Sequence, residues 1–194
     1  MKTKRKLIAL LAIATLISIV NASVFVYYPI NLTISPQNPP VVFSTGSNSN
    51  ERDLWDKTIT VDITDGVADN EGTRLTIEVH PTLQKNYYYD IARIKNNDDK
   101  HTYYIKFRVT SCINDDRVYE AYLIINNTNT QYEIDLKSSG VQPNDDWITL
   151  SSLGEFRVDL YIVPKSVGGT IEFKVDLIIS TTNAESPPST LPGE

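Results

Sequence analysis

The chain is poor in the residues that carry most protein chemistry. It holds one cysteine, Cys112, and two histidines, His80 and His101, in 194 residues. A single cysteine closes no intrachain disulfide, so a disulfide scaffold is excluded. Three such residues are too few for a zinc module. Basic charge is scarce as well: 18 Lys and Arg stand against 24 Asp and Glu. Four of the basic residues, Lys2, Lys4, Arg5 and Lys6, fall in the first six positions; without them, 14 basic residues face 24 acidic ones, a charge of −10. A chain that acidic has no general attraction to nucleic acid. Catalytic signatures are missing too: there is no G-x-S-x-G elbow, no H-E-x-x-H and no glycine-rich phosphate loop. With 24 acidic residues, no pair stands out as the two carboxylates of a glycosidase. The sequence therefore nominates no catalytic residue, no metal ligand and no cofactor, and the expectation is a protein that is not an enzyme.

Apolar residues are not scarce. They make up 41% of the chain, enough for one domain with a substantial core and short for two. The start is basic, and Leu7 to Val20 is an apolar run closed by Val20-Asn21-Ala22. That is the three-part pattern of a secretory signal peptide, and it predicts cleavage after Ala22. The other reading is an uncleaved anchor, against which Asn21 and Ser23 interrupt the run. A lipoprotein leader is excluded because the only cysteine is Cys112. At the other end, residues 181–194 read as a disordered tail.

The dominant pattern in between is period-two alternation, the mark of half-buried strands. Ile59, Val61 and Ile63 share one face of a segment from Trp55 to Thr64, and Leu75, Ile77 and Val79 share another. Tyr103, Ile105, Phe107 and Val109 form a longer stripe, as do Phe156, Val158, Leu160 and Ile162, and Ile171 through Ile179. Val118 to Ile125 is apolar on nearly both faces, as a central strand would be. Tyr88 to Ile94, Tyr132 to Leu136 and Trp147 to Leu150 are shorter candidates. The expected fold is all-β, an antiparallel β-sandwich, Ig-like or jelly-roll-like, over residues 41–180. Asn97-Asp98-Asp99, Asn114-Asp115-Asp116 and Asn144-Asp145-Asp146 read as turns, because Asn and Asp bond their own backbone. None has the spacing of a calcium loop.

The most informative segment is Ser23 to Ser35. Its even positions, Val24, Val26, Tyr28, Ile30, Leu32 and Ile34, are all apolar. At about 3.3 Å per residue such a strand is long for a globular domain. Pro36 to Pro40 follows as a stiff hinge. Such a stripe either folds back as the first strand of its own sandwich or is donated to a neighbouring subunit by β-strand addition. Donation is head-to-tail and does not close, so it builds a fibre.

The run VFVYYP followed by NLTISPQNPPVVFSTGSN, after a signal peptide, resembles the secreted archaeal thread and bundling-pilus subunits. These are β-sandwich proteins similar in architecture to the bacterial matrix-fibre protein TasA. The resemblance covers about Ser23 to Asn48; beyond it only the strand-rich pattern agrees. It implies a donor strand at 23–34, a hinge to Pro40, a sandwich that accepts the strand of the next copy, and hence a homopolymer at the cell surface that meets a membrane only through its leader. The runner-up is a monomeric surface or adhesion domain with its first strand in cis. In a secreted chain the sequons at Asn31 and Asn126 are candidate N-glycan sites.

Overall fold

A computed structural model describes residues 3–8, 10–11, 33–35, 37–53, 56–68, 70–111, 117–143, 146–166 and 172–184. The chain divides into two units, Met1–Gln37 and Asn38–Glu194. In the first, residues 3–8 and 10–11 are helical, with Leu7, Ile8, Leu10 and Leu11 exposed. Among the described residues, no helix is long and apolar enough to cross a membrane. The expected cleavage point at Ala22 lies outside the described residues, as do Cys112, Asn114 to Asp116 and the end of the expected tail.

The second unit is built from strands: β1 (Val41–Thr45), β2 (Thr60–Ala68), β3 (Glu71–Glu78), β4 (Asn86–Asn96), β5 (Tyr103–Ser111), β6 (Val118–Asn126), β7 (Gln131–Asp135), β8 (Gly140–Gln142), β9 (Ile148–Leu150), β10 (Glu155–Pro164) and β11 (Lys174–Ser180). Seven form one sheet in the order β2-β3-β1-β4-β10-β6-β7. The other sheet runs β11-β5-β8, with β9 also pairing β5. All pairings are antiparallel. The two sheets enclose one apolar core, the antiparallel sandwich that the alternation predicts.

The stripes supply that core. Ile94, Ile105, Phe107, Ile125, Ile134, Ile148, Leu150, Phe156 and Val158 are fully or almost fully buried within it. Register explains why they meet: Ile94 stands opposite Phe156 and Ala92 opposite Val158, while Leu123 faces Ile134. Direct partners in an antiparallel pair share a face, so each match puts two apolar side chains on the same side.

Three segments differ from the alternation. The strand expected from Trp55 starts at Thr60. Before it the backbone turns: Asn50 and Asp56 have φ of 65° and 57°, and Arg52 bridges Thr58. The last strand starts at Lys174; the earlier part of the Ile171 stripe contributes Phe173, half-buried against the core. Strand β1, straight after Pro39-Pro40, has no period-two pattern, because Val41 and Val42 are buried on opposite faces near the middle of the larger sheet. Just past it, Gly46 lies so near β4 that a Cβ would sit 2.0 Å from the Asp90 carbonyl oxygen, which requires glycine there.

Candidate functional site

The smaller sheet is narrow, and its two borders differ. On one side β5 is flanked by the short strands β8 and β9. Gln142 of β8 ties this border to β7: its Oε1 accepts from the Asp135 amide at 2.8 Å and its Nε2 donates to the Asp135 carbonyl at 2.9 Å. The other border is β11, which pairs only β5 among the described residues. Val175 stands opposite Val109, Leu177 opposite Phe107 and Ile179 opposite Ile105. The three β5 residues are buried in the core. Their β11 partners are not: Val175 and Leu177 are half-buried, and Ile179 is 40% exposed. Leu75 and Ile77 of β3 and Ile63 of β2 are half-buried too. Apolar surface on the core side of β11 is thus only partly covered, on a strand with a single partner strand among the described residues.

The outer side of the same pair is fastened by charge. Arg108 Nη2 and Nε reach Asp176 Oδ2 at 2.7 and 3.1 Å, with the guanidinium buried and the carboxylate near half-exposed. Lys106 lies 5.3 Å from the Trp147 ring centre. The Arg108–Asp176 pair holds β11 on β5, while the Lys106–Trp147 contact lies on the β9 side.

Of the residues nominated for donation, Val24, Val26, Tyr28, Ile30 and Leu32 lie outside the described residues, as does Asn31. Ile34 is described and is 75% exposed.

The second glycan candidate lies inside the fold. Asn126 ends β6 and is buried, and its Nδ2 donates to Asp159 Oδ2 at 2.8 Å. A glycan bonds that same nitrogen, which here is buried and engaged by Asp159. A sequon shows the tripeptide but not where the side chain points.

Asp159 is the centre of a polar cluster that the sequence did not single out. It is 0% exposed. Between the pairs Val158–Ala92 and Leu160–Tyr88, the single residue Asp159 stands opposite Tyr89, Asp90 and Ile91, so β4 bulges. Asp90 there has a φ of 46°, a left-handed conformation that Asp tolerates better than most residues. The bulge frees the Asp90 amide, which donates to Asp159 Oδ1 at 2.6 Å. The Tyr87 hydroxyl donates to Asp159 Oδ2 at 2.7 Å, and Arg157 Nε and Nη2 donate to the same carboxylate at 2.9 to 3.1 Å. Asp90 in turn accepts from Arg93 Nε and Nη2 and from the Ser47 hydroxyl at 2.7 Å. The Arg93 bonds, with help from Ser47, pull the Asp90 carboxyl down from 3.8 to about 2. Burial, together with the Asp159 bond, pushes the Tyr87 phenol up.

The two histidines serve turns and strand ends. His80 Nδ1 lies 3.0 Å from Asp53 Oδ2, and His101 Nδ1 lies 2.8 Å from Asp98 Oδ2. Asp98, in the first of the three Asn-Asp-Asp turns, also accepts from the amides of Lys100 and His101 and from the Tyr103 hydroxyl. These bonds, the Lys100 amide foremost, hold its carboxyl well below the usual range. Its oxygens close the turn, as Asx chemistry predicts. Among the described residues, no three metal-ligating side chains come together. A groove of about 400 Å³ lies beside Tyr87 and Tyr89, bordered by Asn48, Glu51, Arg52 and Lys85. No protein-family model matches the chain, and no curated protein matches it at a significant level.

Proposed function

We propose that the chain is a structural subunit of an extracellular filament and polymerises by donating residues 23–34 to the next copy. The observation that carries this reading is the half-covered β11 border. Val175, Leu177 and Ile179 share the side of their buried β5 partners yet remain partly exposed, on a strand that pairs only β5 among the described residues. An added strand pairs with that edge and buries the stripe in one step. The donor residues Val24, Val26, Tyr28, Ile30, Leu32 and Ile34 offer a stripe of matching period. The Ser23–Asn48 resemblance to thread and bundling-pilus subunits, the leader and the proline hinge agree with it. Secretion through cleavage after Ala22 belongs to the same proposal, as does a glycan at Asn31, whose parity puts it off the apolar stripe.

The experiment is complementation of a chain that begins at Ser35. A peptide of residues 23–34 at about a hundredfold above its Kd adds about 3 kcal/mol. For a domain of this size the melting temperature then rises by roughly 5–10 °C. A peptide with Leu32→Asp puts an unpaired charge on the stripe and gives no rise; one with Thr33→Asp gives the full rise. No shift with the wild-type peptide, together with a full-length monomer whose strand is protected from exchange, assigns the strand to its own domain and rejects donation.

A further inference from the structure

The outer face of the seven-stranded sheet bears a row of tyrosines that strand donation leaves unused. Tyr161 of β10 stands directly opposite Tyr87 of β4 on one side and Tyr122 of β6 on the other, and Tyr122 stands opposite Asp135 of β7. Direct partners share a face, so Tyr87, Tyr161 and Tyr122 form one line across three strands. The Tyr122 and Tyr161 ring centres are 6.2 Å apart, tilted by 35°. Tyr89, lifted by the β4 bulge, adds a fourth ring beside the line. Tyr87 and Tyr89 are 50% and 49% exposed.

These rings are fixed from below rather than free to swing. Tyr87 donates its hydroxyl to the fully buried Asp159. Arg157, held by the same carboxylate, lies 4.1 Å from the centre of the Tyr89 ring, and its Nη1 donates to the Tyr89 hydroxyl at 2.8 Å. Tyr161 donates to Glu120 Oε2 at 3.1 Å. A buried carboxylate that orients two half-exposed rings lowers the ordering cost of binding at that surface.

We propose that this face, with the adjoining groove, binds a neutral polysaccharide. A pyranose has an apolar C–H side that stacks on a ring and a rim of hydroxyls that need hydrogen-bond partners. The face supplies both: rings in a line, with Glu120, Asp135, Arg157 and Lys85 around them. A protein partner fits less well, because Glu120, Asp135 and Lys85, of residue types depleted at protein interfaces, stand among the rings. An anionic polymer is disfavoured by the acidic balance of the chain. The inference does not depend on strand donation: the tyrosines lie on the larger sheet and β11 in the smaller one.

The test is an array of neutral oligosaccharides of defined linkage, probed with the full chain and with Tyr89→Ala, Tyr161→Ala and Tyr161→Phe. Circular dichroism melts establish that each variant is folded, and Tyr89→Ala removes a half-exposed ring whose hydroxyl accepts from Arg157. The expected result is retention on at least one class of neutral glycan. Affinity falls about tenfold or more in each Ala variant, the size of an interface anchor, and Tyr161→Phe keeps most of it. Three results overturn the proposal: no neutral glycan retained, retention undiminished in both folded Ala variants, or crosslinks from Tyr89 that join two copies of the chain through this face.

Discussion

Asp90 and Asp159 show how one strand residue can fix a neighbourhood. Each is a carboxylate on the outer side of a sheet and each is buried. Such groups are tolerable only when their oxygens are filled, and here two arginines, two hydroxyls, an amide side chain and a backbone amide fill them. The depressed Asp90 pKa makes a prediction about acid. The folded value, about 2, lies below the ordinary 3.8. The stabilisation is therefore fully present above pH 3.8 and is lost as pH falls toward 2. The two values imply about 2 kcal/mol at neutral pH. Glu71, lowered by the Asn97 bond and by Lys95, and Asp98 act in the same direction. Comparison with Asp90→Asn separates their share. In urea titrations from pH 7 to pH 2, the wild type is the more stable above pH 4, and the difference shrinks between about pH 4 and 2. A difference that stays constant across that range removes Asp90 from the acid response.

Among the elements, β11 makes the sharpest distinction between folding and assembly. Ile179 faces the core side, opposite Ile105, yet is 40% exposed. Ile179→Asp therefore costs the unassembled subunit little, within about 1 kcal/mol by urea midpoint. An added strand would bury that aspartate, so the same change stops fibres from forming. Loss of folding and fibres together points to a border already closed within the subunit. The elements also show what a sequence can disclose. The stripes on β5 and β10 were legible because apolar residues on the core side alternate with polar or charged ones, so the period survives even where Lys106, Arg108 and Asp159 are themselves buried. Strand β1 was not, since Val41 and Val42 are buried on both faces. Strand β8 was not, since three residues are too short for a period and Gln142 works through its side chain. The Asp159 cluster has no sequence signal of its own. Its partners come from β4, β6 and β10 and meet only through register and a bulge, which a linear pattern does not contain. Asn126 was legible as a sequon, but its burial under Asp159 was not.

At the scale of the whole molecule, the proposed extracellular building block would combine an acidic, cysteine-poor sandwich, a β11 border with one partner strand among the described residues, and a terminal apolar stripe. The domain buries Ile105, Phe107 and Val109 of β5 and leaves Val175, Leu177 and Ile179 of β11 partly exposed. In the proposed assembly, head-to-tail donation would turn that partial exposure into polymer growth, because each acceptor would also be a donor. The most direct measurement is negative-stain electron microscopy of the purified mature chain beside the chain that begins at Ser35. Strand donation predicts long threads from the mature chain, none from the truncated chain, and none from a mixture of the truncated chain with free 23–34 peptide, which fills the border but cannot link subunits. Threads from the truncated chain, or a mature chain that stays monomeric at high concentration, would contradict it.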